Sequence, residues 1–174
     1  MKIGLISDTH GNIRYLEEAA NRLIKNYCVD TLIFLGDECE DIESVKDMFK
    51  DHVWVPGVFC EHYKDRSIPH RLIKEFQGFK VLITHTPVSH QNDFVDDINP
   101  ETAANEKKVD MVFHGHTHIP RIEKKEGVIW VNPGHLKKDD KRGSPPSFGI
   151  VDFDDRKILI VEFLNDKEIC QMDF

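Results

Sequence analysis

Four short runs of branched, apolar residues each lead into aspartate or histidine side chains. Ile3-Gly4-Leu5-Ile6-Ser7 ends at Asp8, Thr31-Leu32-Ile33-Phe34-Leu35-Gly36 ends at Asp37, and Val81-Leu82-Ile83-Thr84 ends at His85. The fourth, Val109-Asp110-Met111-Val112-Phe113, leads to Gly115-His116-Thr117-His118. Runs this short and this rich in branched residues read as strands buried on both faces. An α/β fold gathers its ligands at the carboxyl ends of such strands. Asp8, His10, Asp37, His85, His116 and His118 would therefore meet at one sheet edge. Any one of them alone is adequately explained as a cap, a turn residue or a packed histidine. The set is not.

The chemistry of the set points to metal. Imidazole is the commonest side-chain ligand near neutral pH, and Gly115 allows the backbone to approach closely. Oxygen and nitrogen donors suit Mn, Fe, Zn, Ni or Co, and no set of thiolates marks a structural zinc site. A carboxylate such as Asp37 can bridge two cations about 3.5–4 Å apart, the spacing of hydrolytic two-metal sites. The six residues then divide into Asp8, His10, Asp37 and His118 on one ion and Asp37, His85 and His116 on the other.

Asp8-x-His10, Gly36-Asp37, His85 and Gly115-His116-x-His118, in that order, resemble the motifs of the calcineurin-like metallophosphoesterases. The match is nearest to the compact bacterial and archaeal phosphodiesterase branch, and Asn132-Pro133-Gly134 is similar to that branch's late motif. The resemblance implies an α/β fold, a four-layer α/β/β/α sandwich of two mixed sheets flanked by helices. It also implies a dinuclear metal centre, manganese first with Ni, Co, Fe or Zn as alternatives. The implied reaction is hydrolysis of a phosphoester, a diester before a monoester, by in-line attack of a metal-bridging hydroxide, with Asp37, His85 and His116 as the catalytic residues. The retromer scaffold subunit resembles this branch in fold and length. A noncatalytic metal-binding scaffold or interaction module is therefore the alternative function.

One segment departs from the family pattern. The family places Gly-Asn after the third strand, the Asn being a ligand of the second metal. Here the segment reads Val55-Pro56-Gly57-Val58-Phe59-Cys60-Glu61-His62, and neither Val58 nor Phe59 can ligate. The second site is expected to be weak unless Cys60, Glu61 or His62 substitutes.

The chain has 174 residues and a formal charge of -8. That length fits one domain over residues 1–174. The acidity argues against binding a nucleic-acid backbone but is compatible with a small phosphoester once cations are bound. No apolar run is long enough to span a membrane, and the N-terminus enters a strand directly, so a cytoplasmic protein is expected. Association into a homo-oligomer is left open. Cys28, Cys39, Cys60 and Cys170 form no C-x-x-C pair. Cys28 and Cys170 read as small buried hydrophobes and Cys39 as a packing residue near the centre.

The remaining elements fit around the motifs. A helix is expected from Asn12, as N-cap, to about Tyr27, with Leu16, Ala19, Ala20, Leu23 and Ile24 on its apolar face. A second helix is expected over Asp41 to Phe49. Hairpins turn at Gln77-Gly78 and Glu126-Gly127. Three tail strands, near residues 148–153, 157–163 and 168–172, are expected to complete the second sheet. His90 and Asn92 are candidates for substrate contact, and His135 is expected near the metals without ligating. The charged stretch around Lys137 to Arg142 reads as a solvated loop.

Overall fold

The computed structural model describes all 174 residues. Its first sheet joins β1 (Lys2–Ile6), β2 (Thr31–Phe34) and β3 (Asp51–Trp54) in parallel, with β2 in the middle. Three antiparallel strands extend it beyond β1. The second sheet contains β4 (Arg71–Phe76), β5 (Phe79–Thr84), β6 (Met111–Phe113), β7 (Arg121–Lys125) and β8 (Val128–Asn132), in the order β4-β5-β6-β8-β7. Within it β5, β6 and β8 run parallel, and hairpins add β4 and β7 at the edges.

Side-chain alternation explains the layers. Ile3, Leu5, Ile33 and Leu35 point from the first sheet into a core shared with Val81, Ile83, Met111 and Phe113 of the second. The intervening Ile6, Leu32 and Phe34 face the other way, onto Leu16, Ala19, Ala20 and Leu23 of helix α1 (Ile13–Tyr27). Likewise Leu82 and Val112 turn outward onto Ala103 and Ala104 of helix α2 (Pro100–Asn105). Both faces of the central strands are covered, which is why they read as unbroken apolar runs. The result is the expected four-layer α/β/β/α sandwich.

Four expectations need correction. The tail strands β9 (Ser147–Asp152), β10 (Lys157–Glu162) and β11 (Glu168–Asp173) complete the first sheet, not the second, because β9 pairs antiparallel with β1. In that position Phe148 and Ile150 pack with α1 while Val151 faces the inter-sheet core. The segment after Asp37 forms two 3₁₀ turns, Cys39–Ser44 and Lys46–Met48, in place of an α-helix. Ser44 Oγ donates to the Asp41 carbonyl at 2.8 Å, a local bond that competes with the helical ladder.

Asn12 precedes α1 but does not cap it with its side chain; its amide donates instead to the Leu136 carbonyl at 2.8 Å. Cys28 is exposed, and Cys170 is only partly buried. Cys28 closes α1 in a left-handed conformation, its N–H donating to the Ile24 carbonyl and that of Val29 to the Leu23 carbonyl. No helix is long and apolar enough to cross a membrane.

Candidate metal centre

Because β1 and β2 are parallel, as are β5 and β6, their carboxyl ends share one edge of the sandwich. The structure brings Asp8, His10, Asp37, His85, His116 and His118 to that edge. Five of the six have positive φ: Asp8 52°, His10 49°, Asp37 91°, His116 66° and His118 60°. Non-glycine residues take such conformations at a cost of roughly 1–3 kcal/mol each and concentrate at functional sites. The neighbouring glycines permit the crowding. A Cβ on Gly115 would lie 1.9 Å from Ser7 Oγ and 2.6 Å from Asp8 Oδ2, and one on Gly57 would lie 2.4 Å from Asp37 Cα.

Four of the residues, Asp8, His10, Asp37 and His118, place one ligand atom each within 4.8 Å of all the others. His10 Nε2 stands 2.8 Å from Asp37 Oδ2 and 3.1 Å from His118 Nε2, which is itself 3.2 Å from Asp8 Oδ1. Two imidazoles and two carboxylates around one point form a donor set that suits Mn, Fe, Zn, Ni or Co. These residues fit a divalent ion.

His85 and His116 form a separate pair, with His116 Nδ1 3.2 Å from His85 Nε2. They do not form a comparable group with Asp37. Neither Cys60 nor His62 fills the gap: Cys60 is disulfide-bonded to Cys39, and the His62 ring packs edge-on against Trp54. Glu61 pairs with Lys64 at the surface. Val58 is buried, and its carbonyl accepts a hydrogen bond from Asn92 Nδ2 at 3.0 Å.

The tautomers of two histidines follow from their partners. His85 Nδ1 donates to the Leu35 carbonyl at 2.7 Å, and His118 Nδ1 donates to Asp140 Oδ1 at 2.9 Å. Each therefore has Nε2 directed to the centre, the nitrogen that a bound ion would take in exchange for its proton. The electrostatics agree. Burial opposes ionisation of Asp8, yet hydrogen bonds from His118 and Ser7 and the nearby imidazoles hold its carboxyl at about 2. Burial, reinforced by His85, pushes His116 down to about 4. His118 moves upward, because the bonds to Asp8 and Asp140 outweigh its burial.

Other contacts position the loops, and sequence reasoning missed most of them. The buried Asp41 carboxylate accepts from the Thr9 hydroxyl and, at 2.9 Å, from the Gly11 N–H, bracing the loop that carries His10. Asn132 Nδ2 donates to the Gly115 carbonyl at 3.0 Å and to Thr117 Oγ1 at 2.8 Å, bracing the loop of His116 and His118. The Asn-Pro-Gly motif signalled Asn132; nothing distinguished Asp41 or Asp140 from their acidic neighbours. His135 is buried beside His118, with ring centroids 5.2 Å apart, and bonds through Nε2 to the Ser144 carbonyl. The His90 ring lies 6.2 Å from that of His116.

A cavity of about 520 Å³ opens beside the four clustered residues, and Lys137, Asp139, Asp140, Lys141 and Arg142 also line it. The loop from Lys137 to Arg142 is largely exposed, as expected, except that the Asp140 carboxylate turns inward to His118.

Comparison with known proteins agrees with this arrangement. The family model of the calcineurin-like phosphoesterase superfamily domain matches residues 1–156. The chain belongs to that superfamily. The probable metallophosphoesterase MJ0623 of Methanocaldococcus jannaschii is 31% identical over 136 residues, covering 77% of this chain and 67% of its own. Phosphodiesterase YfcE of Escherichia coli is 36% identical over 70 residues, 40% of this chain and 36% of its own. The solved structure of YfcE, described as a phosphoesterase, superposes with a TM-score of 0.72 at 20% identity, covering 99% of this chain and 98% of that one. A single mutant of Vps29 from Entamoeba histolytica superposes equally well, with a TM-score of 0.73, 22% identity and coverage of 100% and 99%. At these identities the structural likeness establishes the fold that this superfamily member shares with both proteins.

Proposed function

We propose that this phosphoesterase-family chain is a metal-dependent phosphodiesterase acting on a small phosphoester. The observation that carries the reading is the convergence of Asp8, His10, Asp37 and His118 beside a cavity that Lys137, Lys141 and Arg142 help to line. Those four residues would hold the principal ion, with manganese the first choice. Asp37, His85 and His116 would hold a second ion more weakly, since Val58 offers no ligand. Bound ions in such a site lower the pKa of water and screen phosphate charge.

The chain supplies the rest. The Leu35 carbonyl and Asp140 fix the orientations of His85 and His118. Asn132 and Asp41 hold the loops that bear the ligands. Lys137, Lys141 and Arg142 present cationic donors for phosphate oxygens. Asp37, His85 and His116 are the residues assigned to catalysis. The preference for a diester is supported by the names of relatives such as YfcE.

The deciding experiment is hydrolysis of bis-p-nitrophenyl phosphate by chelator-stripped protein, with Mn, Ni, Co, Zn and Mg restored singly. The corresponding monoester and the Asp37→Asn variant run beside it. Cleavage that returns with metal and is lost in the variant supports the enzyme. Silence with metal demonstrably bound supports the second reading, a metal-binding scaffold. Val58, at the expected position of a ligand to the second ion, is the feature that favours that reading.

A further inference from the structure

Two further groups of potential ligands lie outside the metal centre, and their bonding separates them. In His70, Asp93 and Asp97 both histidine nitrogens are engaged: His70 Nδ1 meets Asp97 Oδ2 and Nε2 meets the Tyr63 carbonyl, both at 2.7 Å. The ring is also stacked between Tyr63 and Phe94. That group is a closed structural network whose imidazole has no nitrogen to spare.

Cys39, Cys60 and His62 differ. Their two sulfurs and one ring nitrogen lie within 4.8 Å of one another. His62 Nδ1 is shielded from solvent yet has no hydrogen-bond partner, a state that ordinarily costs free energy. The Glu40 carboxylate stands 3.5 Å from that nitrogen. Cys39 is buried, and its sulfur also lies 3.4 Å from the Asp37 carbonyl oxygen. In the structure Cys39 and Cys60 form a disulfide, with Cα atoms 6.7 Å apart.

We propose that Cys39, Cys60 and His62 are a second, soft metal site, open when the disulfide is reduced and selective for a thiophilic divalent ion such as zinc. Two thiolates and one imidazole are a zinc donor set, and the Glu40 carboxylate is within reach of the fourth position. Opening the site requires a dithiol reductant. It gives two electrons and two protons to the S–S bond, yielding two thiols, and is itself oxidised to a disulfide. Ion binding then displaces the two thiol protons to solvent. The site does not depend on the chain's catalytic activity and shares no side chain with the group of Asp8, His10, Asp37 and His118.

The test is an anaerobic titration of the full chain with Co²⁺ after chelation and reduction by a dithiol. Thiolate ligands give cobalt intense near-ultraviolet charge-transfer bands, whereas the carboxylate and imidazole centre does not. The expected result is four titratable thiols after reduction and charge-transfer bands that saturate at one equivalent. The bands should vanish in Cys39→Ser/Cys60→Ser, with visible cobalt absorption from the other centre retained. His62→Ala, which leaves both sulfurs in place, should weaken the thiolate-bound ion at least tenfold. Absence of the bands from reduced wild-type protein would overturn the proposal without reference to any variant. Their persistence in the double serine variant, which keeps Cys28 and Cys170, would overturn it too. So would a pair that stays closed, leaving only two titratable thiols.

Discussion

Asp140 Oδ1 lies 2.9 Å from His118 Nδ1, on the side of the ring opposite the nitrogen that faces Asp8 and His10. The contact crosses from an otherwise solvated loop to the end of β6. It orients the His118 ring and also tethers the loop that helps to line the cavity. Outer partners of this kind typically change metal affinity by about 10–100-fold. Asp140→Ala should weaken the principal ion within that range while leaving the fold intact. Competition of the variant with a chelating dye would measure it. An unchanged affinity would show that packing alone orients His118.

Asp37 receives His10 at 2.8 Å and is the carboxylate shared by the two proposed ions. Its backbone, at φ 91°, is pressed against Gly57. Asp37→Asn keeps the shape but removes the charge. Diester hydrolysis should fall by more than the ~100-fold upper range of an outer-partner loss. Metal content by atomic spectroscopy should fall with it. Normal turnover in the variant would exclude Asp37 as a bridging ligand.

The central strands were legible because both of their faces are covered, so Ile3 to Ile6 and Val81 to Thr84 carry a continuous apolar signal. The ends of those strands named the residues that gather at the sheet edge, since a ligand-type side chain follows each run. Longer-range pairing was not legible. Phe148 to Phe153 would suit either sheet by composition, and only the simultaneous fit of Phe148 and Ile150 to α1 selects the first. The disulfide was also hidden, because Cys39 and Cys60 are separated by 21 positions and meet only after β2 and β3 align. Asp41 and Asp140 act through geometry that their local sequence does not encode.

His116 and His118 are separated by one residue but serve different surroundings. His118 belongs to the group of four, whereas His116 pairs with His85. Removing a ligand exceeds the loss from removing an outer partner, so His118→Ala should lower affinity for the principal ion more than ~100-fold. His116→Ala should retain that ion and lose hydrolysis. Calorimetric titration of both variants with Mn²⁺ distinguishes them, and equal loss of the tight ion would contradict this division.

Gly115 has no room for a side chain. The Cβ of Gly115→Ala would overlap Ser7 Oγ and crowd Asp8 Oδ2, which also accepts the His116 N–H at 2.9 Å. Overpacking of this kind costs about 1–3 kcal/mol. Here the relief must come from moving Asp8 or the loop of His116. Thermal unfolding should show the destabilisation, and added Mn²⁺ should stabilise the variant less than the wild type. A variant stabilised equally by metal would mean that the loop yields without disturbing Asp8.

Val58 tests whether the second ion lacks only a ligand. It follows Gly57, which touches the Asp37 backbone, so the chain passes close to the shared carboxylate at this point. Val58→Asn also buries an amide, at a cost of roughly 1–3 kcal/mol if it finds no partner. An ion at the second position would provide that partner. The variant should therefore be less stable than wild type in chelator, recover with Mn²⁺, and bind a second equivalent more tightly. Loss of stability without any gain in metal would mean that the amide does not reach the His85–His116 pair. The weakness of the second position would then lie in the course of the backbone between Val55 and Cys60, not in the identity of one side chain.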